Sequence, residues 1–224
     1  MRKPVIAVDG FSSTGKSSIS KIIAEKLGLV HMDTGALYRG VTYYALSCCM
    51  NDHGQINLKS LLSHFNEIHL DFRNINGCLE LFLNGKNICT EIRAAEVSAS
   101  VSLIAAQKEV RDFLLDTQRN MAQNGGVILD GRDIGTVVFP DADYKFFLTA
   151  SIEERTNRRF KELESLGYTV SFDDVAENLQ TRDRIDSERE VAPLKKAGDA
   201  IVIDNTFLTK EETIQLMLSY IKDI

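Results

Sequence analysis

No stretch of the 224-residue chain approaches the roughly 18–20 consecutive apolar positions that a membrane span needs. The N-terminus also lacks the apolar core of a secretory signal, so the expected compartment is the cytoplasm, with no membrane partner. Cysteine is scarce. Cys48, Cys49, Cys78 and Cys89 make up the whole complement, and their spacing matches neither a zinc site nor a C-x-x-C pair. They are expected to stay reduced and to serve as small buried hydrophobes. Basic charge is not in excess: 26 Lys and Arg stand against 32 Asp and Glu, a net charge of −6, which argues against a nucleic-acid coat protein. His31, His53, His64 and His69 form no metal-ligand or triad pattern, and no role is assigned to them. What is present is ordinary for a folded protein: 44% hydrophobic and 26% charged residues, enough to bury a core at this length.

The hydrophobic pattern alternates between strand and helix. Val5 to Val8 is a short β-branched run, expected as a strand buried on both faces. Ile19, Ile22, Ile23 and Leu27 then share a helical face over Ser17 to Leu27, with Gly28 as the stop. Further helices are expected over about 37–50 and 57–66. The period then changes to two: Ile68, Leu70, Phe72 and Leu79, Leu81, Leu83 alternate with polar residues, punctuated by Asn76-Gly77 and Asn84-Gly85. Asn-Gly pairs supply the positive φ of tight hairpin turns, so a three-stranded antiparallel meander is expected here as an insertion. Helix returns over about 94–123 in two segments, followed by buried strands at Val127–Asp130 and Tyr144–Leu148. Ser151 with Glu154 forms a capping box, Ser171 opens a helix to about Glu190, a last strand covers about 200–204, and Thr209 with Glu212 caps the terminal helix. Tyr43-Tyr44 and Phe146-Phe147 are expected in the core.

Gly10-Phe11-Ser12-Ser13-Thr14-Gly15-Lys16-Ser17 fits G-x-x-x-x-G-K-[ST], and it sits between an expected buried strand and an expected helix. In such a loop the glycines let backbone N–H groups wrap an anion at the positive end of the helix. The residues from Gly10 to Ser18 are therefore expected to hold the phosphates of ATP, with Lys16 reaching the β- and γ-phosphates and Ser17 ligating Mg²⁺. A guanine-reading N-K-x-D is absent, which excludes a GTPase switch. Six of the thirteen arginines (Arg155, Arg158, Arg159, Arg182, Arg184 and Arg189) fall within one 35-residue stretch. They are either a solvated face paired with Glu153, Glu154 and Glu162 or a grip on phosphate oxygens, which guanidinium forks hold two at a time. With this length, the pattern looks like a nucleoside monophosphate kinase.

Three stretches narrow the resemblance. Asp33-Thr34-Gly35-Ala36-Leu37-Tyr38-Arg39 resembles the D-[ST]-G-A-x-Y-R of bacterial-type cytidylate kinases. Asp130-Gly131-Arg132-Asp133-Ile134-Gly135-Thr136 resembles their D-G-R-D-x-G-T, and Arg182 to Arg189, ahead of Ala192-Pro193-Leu194, resembles their R-D-x-x-D-x-x-R. Phe11 stands where many members carry proline and Thr34 where many carry serine. The resemblance covers nearly the whole chain. It implies an α/β P-loop fold in three layers, a central parallel sheet with helices on both faces and a small antiparallel insertion in the acceptor-binding region. The expected organisation is one domain over 1–224: a core of 1–36, 125–150 and 190–224, an acceptor-binding region of about 37–124, and a lid with arginine-rich helices of about 151–189.

The same resemblance implies transfer of the γ-phosphoryl group of ATP to CMP or dCMP by a monomer that binds no nucleic acid. It places Thr34, Arg39 and Arg132 on the acceptor phosphate, with Tyr38 beside them, and Ser102, Arg111 and Asp133 on cytosine. Arg182, Asp186 and Arg189 go to ribose and phosphate, and Lys16, Arg132, Arg155, Arg158, Arg159 and Arg189 to the transferred phosphoryl. Other readings stay open for several of these. Arg132-Asp133 could be a strand-end ion pair, and Arg182, Asp186 and Arg189 an intrahelical salt-bridge run. Asp33 either caps the next helix or meets Mg²⁺ indirectly. Asp130 closes a hydrophobic strand and is the second indirect Mg²⁺ candidate. The rival functions are a P-loop kinase for UMP or a hydroxyl acceptor, and a nucleotide-binding regulator without turnover.

Overall fold

β1 (Val5–Gly10) is buried at every position, as its unbroken apolar run requires. It pairs in parallel with β6 (Val127–Gly131) on one side and β7 (Tyr144–Thr149) on the other. β8 (Ile201–Asp204) extends the sheet beyond β7, also in parallel, and β2 (Val30–Asp33) lies outside β6, giving the order β2-β6-β1-β7-β8. The computed structural model describes residues 3–75 and 78–222. Two compact units divide the chain, one of residues 1–32 with 119–224 and one of 33–118.

The first unit is an α/β layer structure built on that sheet. α1 (Lys16–Leu27) brings Ile19, Ile23 and Ala24, and α8 (Lys210–Tyr220) brings Ile214 and Met217, onto Ile6, Val8, Ile128, Phe146, Leu148 and Ile203. Side chains alternate across a strand, so Val5, Ala7 and Asp9 face the other way; they too are buried. α6 (Ile152–Ser165) and α7 (Phe172–Glu188) form an antiparallel pair joined through Leu163, Val175 and Leu179. Thr209 and Glu212 make the full reciprocal capping box at the start of α8. At α6 only half of the expected box forms. Ser151 accepts from the Glu154 N–H, but the Glu154 carboxylate turns to Arg158 one turn on.

The second unit holds α2 (Thr34–Cys48), α3 (Leu58–Ser63), α4 (Ala95–Ala105), most of α5 (Lys108–Met121) and the antiparallel sheet β3 (Leu70–Ile75), β4 (Cys78–Leu83) and β5 (Lys86–Asn87). The insertion is thus a three-stranded meander as expected, with Leu70 opposite Leu83 and Phe72 opposite Leu81. Asn84 (φ 49°) and Gly85 (φ 82°) make the turn between β4 and β5 with two positive φ angles. The Asn76-Gly77 turn lies outside the described residues. A core of Leu37, Val41, Leu61, Leu81, Ile88, Ile104 and Leu114 joins the helices to the sheet. Gly40 matters to that join: a Cβ there would sit 2.8 Å from Leu70 and 3.2 Å from Leu81.

β2 is not anticipated by the hydrophobic pattern, because only Met32 of its four residues is buried. The expectation of buried cysteines holds for Cys49 but fails for Cys48, which ends α2 on the exposed side. Phe146 and Phe147 are core, whereas Tyr43 and Tyr44 are only partly buried against the second unit's cluster.

Leu81 is 1% exposed at the centre of the second cluster. Leu81→Ala is expected to lower the unfolding free energy by about 2–5 kcal/mol, the usual range for a buried leucine truncated to alanine. Urea titration with a probe in residues 33–118 measures it; a change under about 1 kcal/mol would show that this core is not tightly packed.

Candidate active site

Between β1 and α1 the chain makes a turn that only particular backbone conformations allow. Gly10 has φ +148°, and a Cβ there would lie 2.0 Å from the Leu148 carbonyl oxygen, so no other residue fits. Gly15 (φ +88°) precedes α1 and Ser13 also takes a positive φ of 59°. No side chain caps α1. Its first amides therefore end the loop as a positive terminus suited to an anion. Lys16 is buried, and its Nζ donates to the carbonyls of Gly10 (2.9 Å) and Phe11 (2.6 Å) and to Thr14 Oγ1 (3.4 Å). Burial pushes its pKa well below the ordinary lysine value, and the Arg132 charge adds to that, against the pull of Asp130, Asp9 and Asp183. Ser17 Oγ donates to Asp130 Oδ2 at 2.6 Å.

Arginines surround the loop, each already held by oxygen atoms. Arg132 donates through Nη2 to Ser12 Oγ and through Nε to Asp186 Oδ2, both at 2.8 Å. Arg155 donates to the Ser12 carbonyl at 3.3 Å and pairs with Asp183, which itself accepts from the Ser12 N–H at 3.3 Å. The Arg155 guanidinium also lies 5.2 Å above the Phe11 ring, whose edge meets Phe147. Phe11 is therefore packed into the site rather than merely tolerated there. Arg158 reaches the Thr14 carbonyl and is fixed by Glu154 and by both oxygens of Asn205. Arg159 turns instead to Glu162 on its own helix.

Behind Arg132 lies a second layer of charge. Asp186 is buried between Arg132 and Arg189. Burial alone would raise its pKa, but the guanidinium charges of Arg132, Arg189 and Arg182 outweigh that and hold the carboxyl below its ordinary value. Arg189 Nη2 stands 3.5 Å from Asp133 Oδ1. Its Nε and Nη2 also donate to the carbonyl of Ala192, a non-glycine residue at φ 49°. The run Arg182-Asp186-Arg189 is thus partly the intrahelical pairing weighed above, and partly a link from α7 to Arg132 and Asp133. Arg182 is buried in α7, while Arg184 is exposed.

Within residues 33–118, the remaining candidates form their own group. Asp33 Oδ1 accepts from the Ala36 N–H and so caps α2, the first of its two expected readings. Thr34 is buried in the first turn of that helix. Arg39 Nη1 donates to Ser98 Oγ at 3.2 Å. Arg111 lies 5.2 Å over the Tyr38 ring and donates to the Ala105 carbonyl. Ser102 is buried on α4, one turn beyond Ser98.

Five residues have no role assigned by the sequence patterns: Asp9, His31, Ser98, Asp183 and Asn205. His31 Nε2 sits 2.7 Å from Asp130 Oδ1, so the histidine left without a role braces the carboxylate that receives Ser17. Asn205 ties the chain after β8 to the loop, donating to the Thr14 carbonyl at 2.9 Å. Asp183 adjoins Arg182 in a motif already singled out, and alone among the five carried a usable signal.

The loop fits a polyphosphate: a lysine and three guanidinium groups converge on Phe11, Ser12 and Thr14, beside the uncapped start of α1. Among the described residues no three His, Cys, Asp or Glu side chains come together as a metal cage. The Ser17 hydroxyl and Asp130 carboxylate are nonetheless a hard-oxygen pair. They suit Mg²⁺, which commonly takes one or two protein oxygens and completes its shell with water and phosphate.

A family model described as Cytidylate kinase matches residues 6–223. The chain is 45% identical over 227 residues to the cytidylate kinase of Flavobacterium psychrophilum, covering 100% of both chains. It is 48% identical to that of Clostridioides difficile, covering 97% of each, and 46% identical to that of Geobacter sulfurreducens, covering 98% of this chain and 93% of the relative. An uncharacterized protein from Eubacterium ventriosum, 13% identical, shares the fold with a TM-score of 0.50 and 97% coverage of each chain.

Burial pushes the Asp9 carboxyl from 3.8 up to about 6, although the N–H groups of Gly135 and Ile134 favour its charged form. The folded chain therefore keeps this proton at pH values where the unfolded chain has released it. Its contribution to stability is whole below about 3.8 and is lost as the pH rises through about 6. Asp9→Asn is expected to flatten that fall. The unfolding free energy of the variant minus that of the parent should rise by about 3 kcal/mol from acid to neutral pH. Denaturant titrations at both ends check this; parallel pH curves would contradict it.

Proposed function

The chain belongs to the cytidylate kinase family, and on that premise we infer that it transfers the γ-phosphoryl group of ATP to CMP, giving ADP and CDP. The observation that carries this reading is the convergence of Lys16, Arg132, Arg155 and Arg158 on the oxygens of Gly10, Phe11, Ser12 and Thr14. Two polyanions repel each other, and fixed positive charge is what lets them approach within bonding distance.

In the reaction we propose, an oxygen of the CMP phosphate attacks the γ-phosphorus in line and the bond to the β-γ bridging oxygen breaks, leaving ADP. The nucleophile is already largely dianionic at neutral pH, its second pKa being about 6. No general base is needed. Lys16 and the α1 amides hold the donor phosphates, while Arg132, Arg155, Arg158 and Arg189 balance the charge on the equatorial oxygens. Arg159 takes part only if it leaves Glu162. Ser17 and Asp130 would hold Mg²⁺, with Asp33 as an indirect candidate from the family pattern; the ion when bound would supply charge neutralisation to the donor phosphates. Closure of the α6–α7 pair would keep water from taking the acceptor's place.

For the acceptor, the family pattern supports Thr34, Arg39 and Arg132 on phosphate, with Tyr38 as their support. It supports Ser102, Arg111 and Asp133 on the base, and Arg182, Asp186 and Arg189 on ribose and phosphate. Cytosine presents an N4 amine donor that a carboxylate accepts, whereas uracil sets an oxygen against it. Such a mismatch costs affinity steeply in a buried site. We propose dCMP as a further acceptor and a monomer working in the cytoplasm. No helix of the described residues is long and apolar enough to cross a membrane.

ADP release from ATP, compared across CMP, dCMP, UMP, AMP and GMP, tests the assignment. CMP is expected to stimulate most, and no stimulation by any pyrimidine monophosphate would end the reading. Lys16→Met is expected to abolish turnover while leaving the circular dichroism spectrum unchanged; normal activity would remove the lysine from the chemistry. Asp133→Ala is expected to lower the ratio of kcat/KM for CMP over UMP by about tenfold or more. An unchanged ratio would show that the base is read elsewhere.

A further inference from the structure

The role proposed for Asp133 raises a geometric question that Asp9 answers. The chain after Arg132-Asp133 winds into a short, wide helical turn, Ile134–Val138, closed by bonds from the Val138 and Phe139 amides to the carbonyls of Asp133 and Ile134. An aspartate just before a helical turn ordinarily caps it with its own carboxylate. Asp133 occupies that position, at φ −142° and ψ 24°, yet its side chain makes no capping bond. Its Oδ1 is directed at Arg189 instead.

The capping comes from a different strand. Asp9, on the face of β1 opposite Ile6 and Val8, accepts from the Ile134 N–H through Oδ1 and from the Gly135 N–H through Oδ2, both at 2.8 Å. The far end of the same turn is closed by a cation: Arg119 donates through Nη2 to the Val137 carbonyl (3.0 Å) and through Nε to the Val138 carbonyl (3.2 Å). Anion at the amide end and cation at the carbonyl end is the arrangement that a helical dipole favours. Gly135 fits closely above this anchor; a Cβ there would lie 3.4 Å from Asp9 Oδ2 and 3.2 Å from Lys145 Cδ.

We propose that Asp9 is a positioning residue for acceptor specificity: it caps the turn 134–138 in place of Asp133, so that the Asp133 carboxylate is directed to Arg189 and the base rather than to its own backbone. This rests on the base-reading role given to Asp133 above. Removing the Asp9 charge leaves the Ile134 and Gly135 amides to recruit Asp133, and discrimination between bases falls; the lost pull on Lys16 acts alike whichever base the acceptor carries, and so leaves the CMP/UMP ratio unchanged.

The test compares Asp9→Asn with Asp133→Ala and the parent, measuring kcat and KM for CMP, UMP and ATP together with amide hydrogen exchange at Ile134 and Gly135. In Asp9→Asn, exchange at both amides is expected to accelerate, the CMP/UMP ratio of kcat/KM to fall by about tenfold through KM for CMP, and KM for ATP to change less than KM for CMP. If Asp133→Ala lowers the ratio but Asp9→Asn does not, the positioning role is overturned and the base reading stands. If neither variant changes the ratio, both are overturned. Equal rises in KM for CMP and ATP would mark Asp9 as a merely structural residue and also overturn the proposal. Should Asp9→Asn fail to fold, Asp9→Ser carries the same expectations, with loss of discrimination supporting the role and its retention overturning it.

Discussion

Positive charges gathered around an anion-binding turn repel one another for as long as the anion is elsewhere. A pair of like charges about 4 Å apart costs about 4 kcal/mol at the effective dielectric near a protein surface. The arrangement around Ser12 and Thr14 depends on meeting that cost in advance. Asp183 holds Arg155, Asp186 holds Arg132, and Glu154 with Asn205 holds Arg158. Asp183 meets the loop as well, accepting from the Ser12 N–H. The cluster of arginines and the acidic residues of α6 and α7 are thus one device.

That device also explains why the bland and the functional readings of the arginine-rich stretch are both partly right. Arg158 pairs with Glu154 at i,i+4 and Arg159 with Glu162 at i,i+3, as a solvated helix face would. Arg155 and Arg158 nevertheless reach loop carbonyls far away in sequence. On an amphipathic helix one turn can serve both purposes, because side chains three and four apart share a face.

Much of the fold is legible in the sequence. The buried strand, the glycine-bearing turn and the following helix announce themselves by composition. The meander does so through its change of period and through Asn84-Gly85, whose positive φ angles are what those residues are for. β2 stayed hidden because a short strand at the sheet's edge with one buried side chain carries no periodic signal. The partners of the motif residues were hidden for a different reason. Asp9, His31 and Asn205 lie 125, 99 and 191 positions from the residues they bond, and nothing in their neighbours along the chain marks them. Such long-range pairing is a property of sheet order, since β1 and β8 run parallel to β6 in one sheet and β2 lies beside β6. Half of the Ser151 capping box is missing because both of its partners are engaged elsewhere: the Ser151 N–H donates to Thr206 Oγ1, 55 positions on, and Glu154 accepts from Arg158.

The folded-back posture of Lys16 has a thermodynamic corollary. Burial and the Arg132 charge weaken the hold of its Nζ on the proton, against the pull of Asp130, Asp9 and Asp183. A triphosphate arriving in the loop gives the same nitrogen an anionic partner and tightens its hold. Nucleotide association is thereby favoured by the protonated lysine, and its strength declines as the medium becomes alkaline enough to strip that proton.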